Sequence, residues 1–503
     1  MITIIYSTHK DSKYNKSFKE HLLDTIGIKS DKIQILEYQN NNQYSLAQVY
    51  NSGITESINN IVVCCHNDIK LEKGWGKKLL KDFENNLDYG IIGKAGSCYF
   101  PKSGIYWEKL NQTMVGQVWH HPEGKNKWLS KYSPKFEFLI PVVTIDGLFI
   151  SFDKTKIKHT FDETIGKFHF YDHCFCLPNY LEGVKIGVTS SFEITHQSIG
   201  QPDDEFYETK DKFLLKFVDK LPLDLKPKEI FVPKIKEKKL KLKTKVAIII
   251  PTKGKTDLLF QCIDSFYEHC DSDIFDIFVA DTGSNSDEIN EMKTFFLNKN
   301  IKLIEYFYYN FSKINNEVVL NYINDDYEYV LFCNNDIKIL NDVIQEMLLV
   351  FKNYGSVASV GARLHYPDTT IQHDGLFAML RQKEKAIWIG HQNPNAYYNF
   401  KTEPIEVIGN TAALMMVNKK VFKNLGMFDE QYRHCFEDVH FALTAINKGY
   451  KNIINGKSVA IHYESQSRNI DSTQQEFMQD YNTFLVPHVK KVFEKIKKYL
   501  YVV

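Results

Sequence analysis

The chain has 503 residues, enough for two to four domains that each bury a core of their own. Lys and Arg number 62, as do Asp and Glu, so the formal charge is zero and nothing calls for nucleic acid as a partner. No apolar run approaches the ~20 residues that cross a bilayer, and the opening MITIIYSTHK lacks the segments of a secretory leader, so a cytoplasmic location is expected.

The first predicted elements are strands at 2–6, 33–37 and 61–65, the last running into His66-Asn67-Asp68. Tyr171-Asp172 then opens an amphipathic segment, and His196 closes a strand-like stretch. Residues 218–244 combine prolines with a dense lysine run and no hydrophobic period, which predicts a solvated linker. A strand at 246–250 follows, ending at Pro251-Thr252. Residues 256–270 have helical spacing of Leu258, Leu259, Cys262, Ile263 and Phe266. Strands at 274–280 and 329–333 end at Asp281 and Asn334. This alternation predicts an α/β fold with a mostly parallel sheet flanked by helices. Its polar strand ends collect on one rim, where ligands sit in such sheets. Beyond residue 470, Val489, Val492, Phe493, Ile496 and Leu500 form one apolar stripe beside five lysines. It is expected to dock on the domains, with peripheral contact to an anionic membrane as the other reading. Cys64, Cys65 and Cys333 lie in apolar runs and are expected as free buried thiols, and Cys174 and Cys176 lack the second pair that zinc would need.

The two halves repeat their chemistry. Asp172 and His196 are 24 positions apart, as are Asp438 and His462, and Asp68 and Asp336 precede the middle acids by 104 and 102 positions. A long-period repeat of ionisable groups predicts two domains of one kind, each with its own site. The first half is shorter in front: 60 positions separate Thr8 from Asp68, against 84 from Thr252 to Asp336. About one βα unit is therefore missing or abbreviated in it, and no counterpart of Asp281-Thr282-Gly283-Ser284 is visible.

A single Asp at a strand end is ordinarily a turn residue or helix cap, and a single His in an apolar strand is ordinarily a satisfied core residue. Their pairing, reproduced as Asp68 with His196 and Asp336 with His462, suits a divalent Mg or Mn ion that also holds phosphate oxygens. Asp438 opens a helix, where the plain reading is a cap. The adjoining Glu437 weakens that reading, because paired acids can raise one pKa toward that of a useful base. Asp172 has Tyr171 in place of the Glu. Asp281 could accept from a ribose or base N–H and Thr252 could meet the base edge, with a plain turn as the other reading of Asp281-Thr282-Gly283-Ser284. There is no Gly-x-Gly-x-x-Gly fingerprint, phosphate loop or Gly-x-Ser-x-Gly elbow, which disfavours dinucleotide enzymes, P-loop ATPases and hydrolases.

These residues resemble the family-2 glycosyltransferases of the GT-A fold. In the second half, Ile250-Pro251-Thr252 looks like the opening strand and Asp281-Thr282-Gly283-Ser284 like the nucleotide turn. The segment Asn310 to Asn316 looks like the helix that follows, and Asn334-Asn335-Asp336 stands at the metal motif, with Asn where an Asp is usual. Leu364-His365-Tyr366-Pro367-Asp368 with Ile371-Gln372-His373 is similar to a stretch of O-antigen and rhamnan-type transferases. Gly409-Asn410-Thr411-Ala412, Gly426-Met427-Phe428-Asp429-Glu430 and Phe436-Glu437-Asp438 resemble the acceptor side, and the run His462 to Arg468 the closing motif. Asp146-Gly147-Leu148-Phe149, His169-Phe170-Tyr171-Asp172 and Ile194-Thr195-His196-Gln197-Ser198 look like a divergent branch of the same superfamily.

The resemblance implies two GT-A domains in tandem, at 1–217 and 245–470, with a terminal basic helix at 471–503. It implies an inverting transferase that uses a nucleotide-diphosphate sugar and a divalent metal to glycosylate a glycan or glycoconjugate, in surface polysaccharide synthesis. Asp438, Glu437 and Asp172 would be catalytic. Pro251, Thr252, Asp281, Asn316, Asn335 and Arg468 would bind nucleotide, and Asp336, His462, Asp68 and His196 would hold metal. Two other readings stand beside this one: a first domain that only helps the second, and a carbohydrate- or nucleotide-binding scaffold without turnover. A nucleotidyltransferase is disfavoured, since Lys253-Gly254-Lys255 is only a faint echo of a phosphate segment.

Overall fold

In the computed structural model the described residues are 1–9, 15–200, 202–234, 245–381, 386–432, 435–464 and 479–502. They form two compact units, Met1–Pro227 with Ala396–Asn399, and Lys228–Asn395 with Phe400–Val503. Both are mixed α/β structures.

The second unit is built on a large sheet. Its strands run in the order Ile301–Glu305, Phe275–Asp281, Lys245–Thr252, Tyr327–Cys333, Leu414–Asn418, Val357–His365, Lys451–His462 and Ile337–Ile339. The first four are parallel, and Leu414–Asn418 enters antiparallel between its neighbours. The strand Lys245–Thr252 shows why the sheet is covered on both faces. Val246, Ile248 and Ile250 enter one apolar cluster with Leu259, Cys262, Ile263 and Phe266 of the helix Thr256–His269. Ala247 and Ile249 enter the other with Ile314, Val318 and Val319 of the helix Phe311–Asn321. Alternation at period two feeds both faces, and helical spacing supplies each cover. Each fully buried Leu, Ile or Phe here contributes ~1.5–3 kcal/mol over exposure. Because the first four strands are parallel, Thr252, Asp281 and Asn334 all lie at one edge.

The first unit repeats this plan in smaller form. Its main sheet runs Ile140–Val142, Lys185–Val188, Tyr89–Gly93, Phe149–Asp153, Ile61–Cys65, Ile2–Thr8 and Ile33–Gln39. The last three are parallel and Phe149–Asp153 is antiparallel, matching Leu414–Asn418 in role. The shorter front is visible directly. Among the described residues, nothing in this unit stands where the edge strand Ile301–Glu305 and the helix Ser286–Phe295 stand in the other. Thr8 pairs with Gln39 as Thr252 pairs with Asp281, so Gln39 occupies the register position of the nucleotide-turn carboxylate.

Two expectations are corrected or resolved. The predicted linker is not solvated throughout: Leu221 is buried, and Leu223–Asp224 pairs antiparallel with Tyr99–Phe100. Burying that leucine ties these residues to the first unit; residues 235–244 lie outside those described. The C-terminal stripe is spent on docking. Val489, Val492 and Ile496 pack with Val439, Leu443 and Ile446 of the helix Glu437–Asn447, so they are not free for a membrane surface. No helix among the described residues is long and apolar enough to cross a membrane. The nine cysteines are free, and all but Cys435 are buried.

Candidate active site

Each unit sets an aspartate at the start of a helix by the same local device. Phe170 (φ 61°) and Phe436 (φ 76°) adopt the left-handed backbone and precede the helices Tyr171–Leu181 and Glu437–Asn447. A phenylalanine held there costs of order 1–3 kcal/mol, which the surrounding packing must offset. Neither residue caps its helix through a side chain. The aspartates meet the free backbone donors instead. Asp172 accepts from His173 N and Gly147 N, both at 2.8 Å. Asp438 accepts from Val439 N at 2.7 Å and Ala412 N at 3.0 Å. Gly147 must lack a side chain, since a Cβ there would fall 2.2 Å from the Tyr171 hydroxyl. Burial raises the pKa of both carboxyls above the ordinary 3.8, even though backbone N–H bonds pull the other way. Glu437 is buried in the same first turn as Asp438.

The Asp and His separated by most of each half meet through strand pairing. His462 pairs with Ile337 and His196 with Ile69, so each histidine lies across from the residue that follows its aspartate. His462 Nε2 lies 3.1 Å from Asp336 Oδ1, and His196 Nε2 3.3 Å from Asp68 Oδ2. Backbone bonds lock the pairs, from Tyr463 N to Asp336 O at 3.0 Å and from Gln197 N to Asp68 O at 2.9 Å.

The tautomer of His462 follows from its outer partners. Gln372 donates its amide to Glu464 Oε2 at 3.0 Å, so its Oε1 accepts from His462 Nδ1 at 2.7 Å. Nε2 therefore carries a lone pair, with the Asn334 amide 3.3 Å away. The neighbouring Asp336 Oδ1 is buried and has no hydrogen-bond partner among the described residues. Two acceptor atoms facing each other at this distance fit a bound cation, and the donor set of carboxylate, imidazole and amide suits a divalent ion. In the first unit His66, Asp68 and His196 bring one donor atom each within 4.8 Å of one another. Burial opposes charge on Asp68, but His196, His66 and Ser198 outweigh it and hold this carboxyl well below its usual range.

The acid and the metal-type cluster share one rim in each unit. Asn334 N donates to Ala413 O at 2.9 Å, next to the Ala412 amide that Asp438 accepts; His66 N likewise donates to Leu148 O at 3.2 Å, next to Gly147. Burial lowers the pKa of His391, against the opposing pull of the Asp438 and Glu464 carboxylates. It touches His373, Nδ1 to Nδ1, at 2.8 Å, and Thr411 N donates to His373 Nε2 at 3.3 Å. Burial holds the His373 ring far below the ordinary imidazole range, so it is neutral and its Nδ1–H donates to His391.

The nucleotide-side residues are less uniform. Asn335 Nδ2 donates to Thr252 Oγ1 at 2.9 Å, and Thr282 N to Thr252 O at 2.8 Å, which stitches the strand ends together. Pro251 sits half-buried in the same strand end. The Asp281 carboxylate folds onto its own turn, accepting from Gly283 N at 3.0 Å, Ser284 N at 3.1 Å and the Ser284 hydroxyl. Asn316 does not reach the rim. Its amide gives to Phe428 O at 2.8 Å and Glu430 at 3.1 Å and accepts from Phe428 N at 3.1 Å, so it braces that loop with both ends used. Arg468 lies outside the described residues. Sequence reasoning passed over His66 as a ligand, Tyr171 as its partner, and Gln372 with Glu464 as the brace of His462. His66 sits in the recognised motif, but its tautomer depends on a contact 105 positions away.

Comparison with known proteins agrees with this doubling. A family model described as "Glycosyltransferase like family" matches residues 3–217, and one described as "Glycosyl transferase family 2" matches residues 247–426. The chain is 27% identical over 231 residues to the O-antigen biosynthesis protein RfbC of Myxococcus xanthus, covering 45% of this chain and 18% of that protein. It is 26% identical over 239 residues to the uncharacterized protein y4gI of Sinorhizobium fredii, covering 46% and 26%. The chain thus spans about a quarter or less of these curated relatives. Among solved structures, GalNAc-T7 with UDP, GalNAc and Mn2+ aligns at a TM-score of 0.37 and 12% identity, covering 44% of each chain.

Proposed function

Because two glycosyltransferase family-2-like domains stand in tandem in this chain, we propose that the second transfers a sugar from a nucleotide-diphosphate donor to a glycan or glycoconjugate hydroxyl. The single observation that carries this reading is the buried Asp438 carboxylate with its raised pKa, fixed by two backbone amides beside the Asp336–His462 pair. Asp438 takes the proton of the acceptor hydroxyl as that oxygen bonds to the anomeric carbon. The bond from that carbon to the diphosphate breaks in the same displacement, so the configuration inverts. The two amide bonds hold the carboxylate in place without using all its lone pairs. Glu437 is assigned to the acceptor side of the same turn.

Asp336 and His462 would hold a divalent cation, Mn or Mg, with Asn334 as a third donor. Such an ion supplies charge neutralisation for a departing diphosphate. Thr252, Asn335 and Asp281, on adjoining strand ends, are assigned to the nucleoside, with Pro251 shaping the strand end. The backbone edge of the Asp281 turn, rather than its occupied carboxylate, is the part best placed to meet a base. The O-antigen name of the Myxococcus relative supports a surface polysaccharide as the destination.

A second reading, that only the second domain turns over, is favoured by Gln39 at the register position of Asp281 and by the missing edge unit. The test is a panel of nucleotide sugars with oligosaccharide acceptors, followed by nucleotide release. Release with at least one donor, in step with acceptor glycosylation, supports the reading. Donor binding with no turnover across the panel refutes it in favour of a scaffold.

A further inference from the structure

The first unit departs from the second at two places that touch each other: His66 stands for Asn334, and Tyr171 for Glu437. We propose that these two changes create a transition-metal site of the first domain's own, filled without nucleotide, with His66 Nδ1, Asp68 and His196 as ligands and Tyr171 as the residue that positions His66. The proposal does not rest on catalysis by the second domain.

The Tyr171 hydroxyl donates to Gly147 O at 3.0 Å, so its oxygen is left to accept from His66 Nε2, also at 3.0 Å. That contact puts the imidazole proton on Nε2 and leaves the lone pair on Nδ1. Nδ1 is the nitrogen that faces Asp68, at 3.9 Å from Oδ1, while the other carboxylate oxygen lies 3.3 Å from His196 Nε2. Ligand atoms bonded at ~2.1 Å with tetrahedral angles stand ~3.4 Å apart, near the 3.3 and 3.9 Å separations from Asp68, and all three donor atoms lie within 4.8 Å of one another. Ser198 Oγ lies 3.0 Å from His196 Nε2, the atom that would bind the ion.

The chemistry of the set decides which ion. Two imidazoles and one carboxylate favour Zn, Co or Mn over Mg, which prefers oxygen ligands and keeps its waters. The second domain offers one imidazole and an amide in the same places, a harder and weaker set that depends more on diphosphate oxygens. The two domains would therefore load metal differently. The first would be filled whenever a transition ion is present, and the second only together with its donor.

The test is calorimetric titration of the metal-free full chain with Zn2+, Mn2+ and Mg2+ in the absence of nucleotide, with nitrogen couplings of bound Mn2+ read by pulsed electron paramagnetic resonance. The expected result is one transition-ion equivalent, coupled to two imidazole nitrogens and preferred over Mg2+ by at least tenfold. It should vanish in His66→Ala, persist in Asp336→Ala, and weaken ~10–100-fold in Tyr171→Phe, a variant that keeps the ring and its packing. His66→Asn, the residue of the other domain, should remove one nitrogen coupling and most of the preference over Mg2+. No binding, binding unchanged in both His66 variants, or an equivalent lost only in Asp336→Ala would each overturn the proposal.

Discussion

Asp172 and Asp438 are held by the same two backbone donors, one from the next residue of their own helix and one from the loop that enters the adjoining antiparallel strand. The phenylalanine before each pair is left-handed, and burial raises the pKa of each carboxyl. Two copies of a strained, partly desolvated acid are hard to explain as helix caps, since a cap needs neither strain nor burial.

The two acids should be separable by mutation. Asp438→Asn is expected to reduce transfer by ~100- to 10,000-fold, the range of a lost general base, with nucleotide affinity nearly unchanged. Asp172→Asn should leave that activity in place. A second, different transfer lost in Asp172→Asn would make the first domain an enzyme in its own right, contrary to the helper reading. Initial rates and nucleotide titrations on both variants decide this.

The pH profile follows from the raised pKa of Asp438. A base must be unprotonated to act, so the rate should fall as pH drops through its folded-state pKa. That acid limb should lie above the ordinary 3.8, and Asp438→Glu should move it. A limb at the ordinary carboxylate position would mean that the essential base is exposed to water.

Gln372→Ala removes the acceptor that keeps the proton of His462 on Nδ1. Metal affinity of the second domain, measured with donor nucleotide present, should fall ~10–100-fold without a large change in melting temperature. Equal affinity in variant and parent would mean that Gln372 does not set the metal-binding nitrogen of His462.

The C-terminal helix should be the acid-sensitive part of the second unit. His440 and His488 stack at 4.0 Å between the helices Glu437–Asn447 and Val486–Ile496. Tyr432, Asp429 and Lys491 act on the pair, and Thr444 contacts His488. Burial, with His440 and Lys491 nearby, lowers His488 from 6.5 to about 4. The unfolded chain then binds its proton first as pH falls, so this contribution to stability is whole above 6.5 and is lost between 6.5 and about 4. Melting temperature should decline across that window, and less steeply in His488→Gln. A parallel decline in both proteins would contradict the assignment.

Much of this was legible in the chain before folding. The strand 61–65 and the helix after Lys255 follow from apolar period, and the repeat of Asp and His at equal spacing pointed to sites that strand pairing then assembled. What stayed hidden depended on side-chain direction. Asn316 lies in a recognised segment, yet its amide turns inward to the Phe428 loop, and no spacing records that turn. His66 was visible at its motif, but the nitrogen it presents is set by Tyr171, which folding alone brings near. Leu221 reads as linker because its burial depends on a two-residue strand pair too short to leave a period.

In the proposed reaction, cation and diphosphate share one seat at Asp336 and His462. The most direct measurement titrates nucleoside diphosphate into the full chain with and without Mn2+. Binding should strengthen at least tenfold with the metal, lose that gain in Asp336→Ala, and keep it in Asp438→Asn. Affinity indifferent to Mn2+, or unchanged in Asp336→Ala, would contradict it.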